Sequence, residues 1–576
     1  MLKDIKNILQ RLVIPYFKGY LGYFSISIIG MLLTAIGTAA TAYLVKPILD
    51  DIFVDKNLDA LYMLPYAIVI VYAMKGGGKY IQVYFSSYIG QDIIRKIRNK
   101  LLSHMLTLDL SFFHKFRSGE LISRNINDVE RIRAVVSTMI PEMGREFLTV
   151  IALLGIVIYQ SPKLSFFALI LLPLIIFPLS LIAKKLKKLS HSSQEKTSDI
   201  TSILSEIFTN IELIKAHSSE YFEHKKFKRE NFDFFRINMK SIKISELSSP
   251  IMETMGALGV AVVIIVGGTE VIEDKMTVGS FFSFLTALFM LYTPIKRLSN
   301  LYNKMQDVVA AGERILFIFD KKPTIISEDK KTIEDVDSLV FKDVFLKYED
   351  KEALKGINLS VKKGERLALV GGSGGGKSSI VNLIVRFYNP SSGSITLNGT
   401  NIKNFSIEEL RSSISIVTQR VYIFNDSIAA NVAYGKKIDK QKVKDALKMA
   451  NAMEFVEELG GIEHKLNENG ANLSGGQRQR ISIARALYVD PKIIIFDEAT
   501  SALDSKSEQK ITQSLREISK NRITIIIAHR LTTIKDANKI AVLKDGKIIC
   551  VDSEKNLLAN CNEYKKLSGT FIEAEE

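Results

Sequence analysis

The chain has 576 residues, 47% of them hydrophobic, and a formal net charge of +15. That length exceeds what one hydrophobic core accommodates, so two or more domains are expected. The basic excess gathers beside apolar runs, where it meets anionic cytoplasmic lipid, and this placement argues against nucleic acid as a partner.

Leu2, Ile5, Leu9, Leu12 and Tyr16 recur at helical spacing between Lys3, Lys6 and Arg11, which predicts an amphipathic helix lying on the membrane surface before the first span. No short apolar core with a small-residue cleavage site stands there, so a secretory signal is not expected. Six stretches of bilayer-crossing length follow, at about 20–46, 61–85, 137–160, 163–184, 250–272 and 278–300. Polar residues interrupt the second and third, and the charge distribution supports the count. Arg95 to Arg133 and Lys184 to Lys243 make two long loops rich in Lys and Arg, whereas the short loops hold Asp50, Asp51, Glu270, Glu273 and Asp274. The positive-inside rule then places both long loops and both termini in the cytoplasm, which six spans satisfy and five do not. Ile200, Ile203, Leu204, Ile207, Ile211 and Ile214 recur at threes and fours, so these loops read as helical extensions of the spans.

Beyond a polar stretch reaching about 338, the buried-strand pattern Arg366–Val370 runs into Gly371, Gly372, Ser373, Gly374, Gly375, Gly376, Lys377 and Ser378. This is a phosphate loop in its required context, strand before and helix after. Converging backbone N–H groups and a helix N-terminus suit phosphate oxygens. Lys377 is expected on the β- and γ-phosphates of ATP and the Ser378 hydroxyl on Mg²⁺. A second apolar strand, Ile493–Phe496, ends in Asp497 and Glu498. Asp497 is expected to reach Mg²⁺ and Glu498 to polarise the attacking water. Cys550 and Cys561 have no metal-ligand neighbours, and no disulfide framework is expected of them.

Leu473-Ser474-Gly475-Gly476-Gln477, standing between the two nucleotide motifs, resembles the signature of ATP-binding cassette (ABC) proteins. The resemblance extends to Tyr348 as the adenine-stacking aromatic, Gln419 as the Q-loop glutamine and a further metal ligand, Asp504 in the D-loop, and His529 as the switch histidine. Ser379, which stands where Thr is common, and Gly375, where Ser or Ala is common, depart without removing a phosphate or metal ligand. Residues 110–129 and 206–217 look like the two coupling regions of ABC exporters. The resemblance therefore implies a membrane all-α six-helix exporter domain of type I, with long cytoplasmic helix extensions, fused to an α/β P-loop ATPase domain. The expected limits are 1–315 for the transmembrane domain, 316–338 for a linker and 339–576 for the nucleotide-binding domain.

In ABC proteins the signature of one cassette completes the ATP site of another, and every motif is intact here, which implies a homodimer. The spans most resemble the lipid A exporter (MsbA-type lipid flippase) subfamily. Lys75, Arg145 and Lys296 stand where that subfamily carries cavity cations, implying an anionic, amphipathic lipid substrate in the bacterial inner membrane. Charges inside spans usually face a cavity or a partner. The alternatives at each are a snorkelling Lys75 or Lys296, and an Arg145 paired with Glu142 or Glu146. A multidrug or lipid-linked oligosaccharide exporter would share every ATP motif. A peptide exporter is disfavoured, because no peptidase domain precedes the first span.

Overall fold

A computed structural model describes residues 7–326, 331–497, 513, 516–528, 534, 535 and 537–575. Its contacts form two compact units, residues 1–103 with 121–320, and residues 104–120 with 321–576.

Long helices dominate the first unit. Short helical turns apart, the labelled helices are, in chain order, α1 (Leu21–Tyr43), α2 (Leu58–Thr107), α3 (Leu110–Lys115, part of the second unit), α4 (Ile140–Gln160), α5 (Pro162–Thr209), α6 (Ile211–Ala216), α7 (Glu220–Ile272) and α8 (Val278–Asp320). At 1.5 Å per residue, the 50 residues of α2 and the 53 of α7 extend about 75–80 Å, well over twice the hydrocarbon thickness of a bilayer. These helices must project far beyond the membrane, as their charged halves require. Among the described residues, Leu9–Val54, Leu58–Thr107 and Val278–Leu298 are long and apolar enough to cross a membrane, and Ala257–Ile272 is a shorter apolar helix. Helix α4 carries Glu142, Arg145 and Glu146, and two of these are buried in its packing.

Small residues bring α1 and α2 together. A Cβ on Gly30 would lie 2.6 Å from the Gly78 carbonyl oxygen, so the two backbones touch where any larger residue would hold them apart. Ala42, Leu153, Leu164, Val263, Phe284 and Leu291 then close a core between α1, α4, α5, α7 and α8. The N-terminal segment differs from expectation. Of the predicted apolar face, Leu2 and Ile5 lie outside the described residues and Leu9 and Tyr16 are half-buried. Leu12 is buried with Ile8 and Val13, and Ile8 sits against Gly312 of α8, so this part of the segment packs on protein. Arg11 pairs with Asp320, the last residue of α8.

The second unit is built on two sheets. Strands β1 (Ser338–Tyr348) and β2 (Lys351–Lys362) join β4 (Ser392–Leu397) and β5 (Thr400–Asn401) in an antiparallel sheet of order β2-β1-β4-β5. The other sheet has the order β10-β9-β3-β8-β7-β6, comprising β3 (Arg366–Gly371), β6 (Ile414–Val417), β7 (Ile493–Asp497), β8 (Ile523–Ile527), β9 (Lys539–Lys544) and β10 (Lys547–Asp552). All its pairings are parallel except β9 with β10. Leu367 and Leu369 of β3 enter one core, and Ala368 and Val370 the other. A strand covered on both faces reads as an unbroken apolar run, which is why these segments were legible.

Helices α9 (Lys377–Ile384), α10 (Gly475–Tyr488), α11 (Glu554–Asn560) and α12 (Asn562–Glu575) complete the unit as far as the site requires. One feature corrects the sequence reading: Cys550 on β10 is disulfide-bonded to Cys561, beyond α11. The turn after α11 brings their Cα atoms to 6.5 Å, within bridging distance, a proximity their spacing does not reveal.

Candidate active site

The phosphate loop leaves the carboxyl end of β3. Gly371 has φ +151°, and a Cβ there would lie 2.2 Å from the Leu543 carbonyl oxygen on β9, so only glycine fits. The loop closes on itself through Gly375 N–H donating to Gly372 O at 3.1 Å, and α9 begins at Lys377. The Lys377 ammonium is buried and donates to Gly371 O at 2.7 Å and Gly372 O at 3.1 Å. A buried cation folded over a glycine-rich backbone loop is a donor set suited to phosphate oxygens. Ser378 and Ser379 follow in the first turn of α9, and Ser373 lies within the loop.

Sheet register gathers the remaining groups. Leu369 of β3 and Asp497 of β7 both align with Ile527 of β8, so Asp497 lies two strand spacings, about 10 Å, from β3 at the same level. Val417 aligns with Phe496, which puts Gln419 just beyond the carboxyl end of β6 beside Asp497. Gln419, Asp497 and the phosphate loop thus share the carboxyl edge of one parallel sheet, where α/β folds bind ligands. Glu498, Asp504 and His529 lie outside the described residues.

Tyr348 ends β1 and is tied to the helix after the phosphate loop, its hydroxyl accepting from Asn382 Nδ2 at 3.1 Å. Tyr388 packs edge-on against it, with ring centroids 4.8 Å apart at 84°. Burial, with Tyr348 adjacent, pushes the Tyr388 phenol above its ordinary value. The Tyr388 hydroxyl also meets His114 Nδ1 of α3 at 3.0 Å, and Lys115 Nζ meets Glu349 Oε1 at 3.0 Å. Asp109 anchors the start of α3 by accepting from the Thr324 N–H and hydroxyl, each at 2.7 Å. Nothing in residue spacing links position 114 to 388. The Phe-Tyr pair directly after the phosphate-loop helix was the available hint that the aromatic platform has two members.

The Leu-Ser-Gly-Gly-Gln segment has a local structural role. Ser474 caps α10, its hydroxyl accepting from Gln477 N–H while Gln477 Oε1 accepts from Ser474 N–H at 2.9 Å. Gly475 and Gly476 occupy the first turn. Among the described residues no hydrogen bond joins this cap to the phosphate loop. Further along α10, the Arg485 guanidinium is held by the carbonyls of Asn431 at 2.7 Å and Tyr422 at 2.8 Å, which orients the helix against the segment beyond Gln419.

In the first unit, Arg145 is 4% exposed and donates to Gln82 Oε1 at 2.9 Å and to Glu146 Oε1 at 2.7 Å. Arg297 donates to the same Glu146 oxygen at 3.0 Å. Lys75 is half-buried with its ammonium over the Tyr72 ring at 5.8 Å, and exposed Lys296 lies over Tyr292 at 5.7 Å. The structure therefore joins Arg145 to Glu146, and to Arg297, which sequence reasoning passed over. Among the described residues it makes no bond from Arg145 to Lys75 or Lys296.

Residues 24–295 match the ABC transporter transmembrane region and residues 354–501 match the ABC transporter domain. The chain belongs to the ABC transporter family. Among its relatives is a Desulfotalea psychrophila protein, 42% identical over 571 residues, 98% of this chain and 99% of its own. A Syntrophus aciditrophicus protein is 39% identical over 548 residues, covering 94% and 91%. One from Thiobacillus denitrificans is 32% identical over 560 residues, covering 96% and 97%. Each is named an ATP-dependent lipid A-core flippase. This ABC transporter is thus a membrane exporter domain fused to a cassette that binds ATP and couples its hydrolysis to transport.

Proposed function

We propose that the chain is one half of a homodimer that flips lipid A, or lipid A carrying core sugars, across the bacterial inner membrane. The carrying observation is full-length similarity to relatives named for that activity. The anionic, amphipathic cargo suits the cations on the spans. Lys75, Arg145 and Lys296 would face the headgroup phosphates, and apolar helix surfaces would take the acyl chains. Both termini and the cassette would lie in the cytoplasm, following the basic loops.

In the cassette, Gly371 to Gly376 would wrap the phosphates, Lys377 would bridge the β- and γ-oxygens, and Tyr348 would stack on adenine. Ser378, Asp497 and Gln419 would hold Mg²⁺, which supplies charge neutralisation at the transferred phosphoryl group. Glu498 would orient and deprotonate the attacking water, and His529 would contact the γ-phosphate. Ser474, Gly475, Gly476 and Gln477, with Asp504 alongside, would complete the site on the partner cassette. ATP binding would close the pair and hydrolysis release it, driving alternating access.

The test is ATPase rate in lipid nanodiscs with and without lipid A, beside Arg145→Ala. Stimulation that the substitution weakens is expected. Stimulation by amphipathic drugs or lipid-linked sugars, with none by lipid A, would keep the exporter and discard this cargo.

A further inference from the structure

Glu146 is 3% exposed, yet its Oε1 receives two guanidiniums, those of Arg145 and Arg297. Among the described residues no second carboxylate pairs with either. One carboxylate against two guanidiniums leaves the cluster with surplus positive charge. Depth along the helices shows where. Gln160 at the end of α4 bonds Ser283 near the start of α8 at 3.0 Å, and Asp50 accepts from Gly279 N–H at 2.8 Å, so these ends share one level. Counting from the Gln160–Ser283 bond at 1.5 Å per residue, Arg145 lies about 22 Å down α4 and Arg297 about 21 Å down α8. With a hydrocarbon core of about 30 Å, the cluster sits towards the opposite boundary, at the inner edge of the lipid chains. Surplus charge at that depth is costly unless an anion meets it.

The two arginines differ in access. Arg145 has 5% of its side chain exposed and is held by Gln82, whereas Arg297 has 52% exposed. We infer that Glu146 is a built-in counter-ion which a phosphate monoester displaces from Arg297, making Arg297 and Glu146 an exchange pair that sets selectivity for phosphorylated headgroups. The inference rests on the lipid reading above and deepens it. Arg145, pinned by Gln82, keeps Glu146 buried and paired throughout. Arg297 moves between carboxylate and phosphate, both of which its planar fork can bind. Glu146 thereby raises the threshold for weakly charged lipids, a form of selection by competition.

The test is the lipid concentration giving half-maximal ATPase stimulation of the full chain in nanodiscs. Probes are bisphosphorylated lipid A, its monophosphoryl form and inorganic phosphate. Arg297→Gln is expected to raise the value for the bisphosphorylated lipid about tenfold, with Arg297→Lys recovering most of it. Glu146→Gln is expected to lower the value and to narrow the difference between the two lipids. Opposite shifts are the signature, since loss of a merely structural ion pair would move both variants the same way and lower their melting temperatures together. Shifts in one direction, or none while the unmodified chain responds, would overturn the exchange pair and leave the lipid reading standing. Equal competition by millimolar inorganic phosphate would overturn headgroup selectivity. No response of the unmodified chain to either lipid would discard the lipid A reading itself.

Discussion

His114 meets the Tyr388 hydroxyl at 3.0 Å, and Tyr388 packs against the ring of Tyr348. A residue between two predicted spans therefore touches the aromatic platform proposed for adenine. Removing that hydrogen bond leaves the Tyr388 edge free to rotate, which loosens base stacking before it affects phosphate chemistry. His114→Phe is expected to raise KM for ATP about threefold to tenfold while changing kcat less, with His114→Gln restoring most of the loss. Steady-state ATPase kinetics decide it, and an unchanged KM would show that α3 docks without tuning the site. The phosphate-loop residues could be named as candidates without coordinates. Gly371 to Ser378 are recognisable because phosphate binding by backbone N–H groups demands glycine at fixed offsets. Arg297 was not, because a cation beside Lys296 gains meaning only when Glu146 of another helix faces it.

At the scale of elements, α10 shows a motif with two uses. Ser474 and Gln477 form a reciprocal cap, worth about 1 kcal/mol when the serine is lost. The same serine belongs to the signature proposed to act on a partner's ATP. Ser474→Ala is expected to lower cassette stability by about 1 kcal/mol in denaturant melts while reducing ATPase activity at least a hundredfold. An activity loss no larger than the stability change predicts would leave the segment as a helix cap alone. Strands β3 and β7 were legible because both their faces are buried and the apolar run is unbroken. The N-terminal helix was legible as amphipathic, but periodicity reports only that one face is apolar. Whether that face meets lipid or protein is decided by what lies opposite, here Gly312 of α8.

For the molecule as a whole, phosphate loop and signature lie in one chain, yet no hydrogen bond joins them among the described residues. A site completed by a second copy follows from the proposed mechanism. Glu498→Gln is expected to abolish turnover, retain ATP binding and trap the closed pair, seen as an ATP-dependent dimer of cassettes by double electron–electron resonance. Near-normal hydrolysis in that variant would remove Glu498 as the base.

The sequence by itself determined the two-part architecture, the helices that outrun a bilayer and the coupling of ATP hydrolysis to transport. Hydropathy, charge bias and glycine spacing are local patterns that survive without coordinates. Only the tertiary structure decided that residues 104–120 belong with the cassette, that Cys550 reaches Cys561 and that Glu146 is shared by two arginines. Each is a meeting between elements distant in sequence or turned towards one another by packing. Side-chain type alone does not encode which neighbour a helix face or a strand end will find.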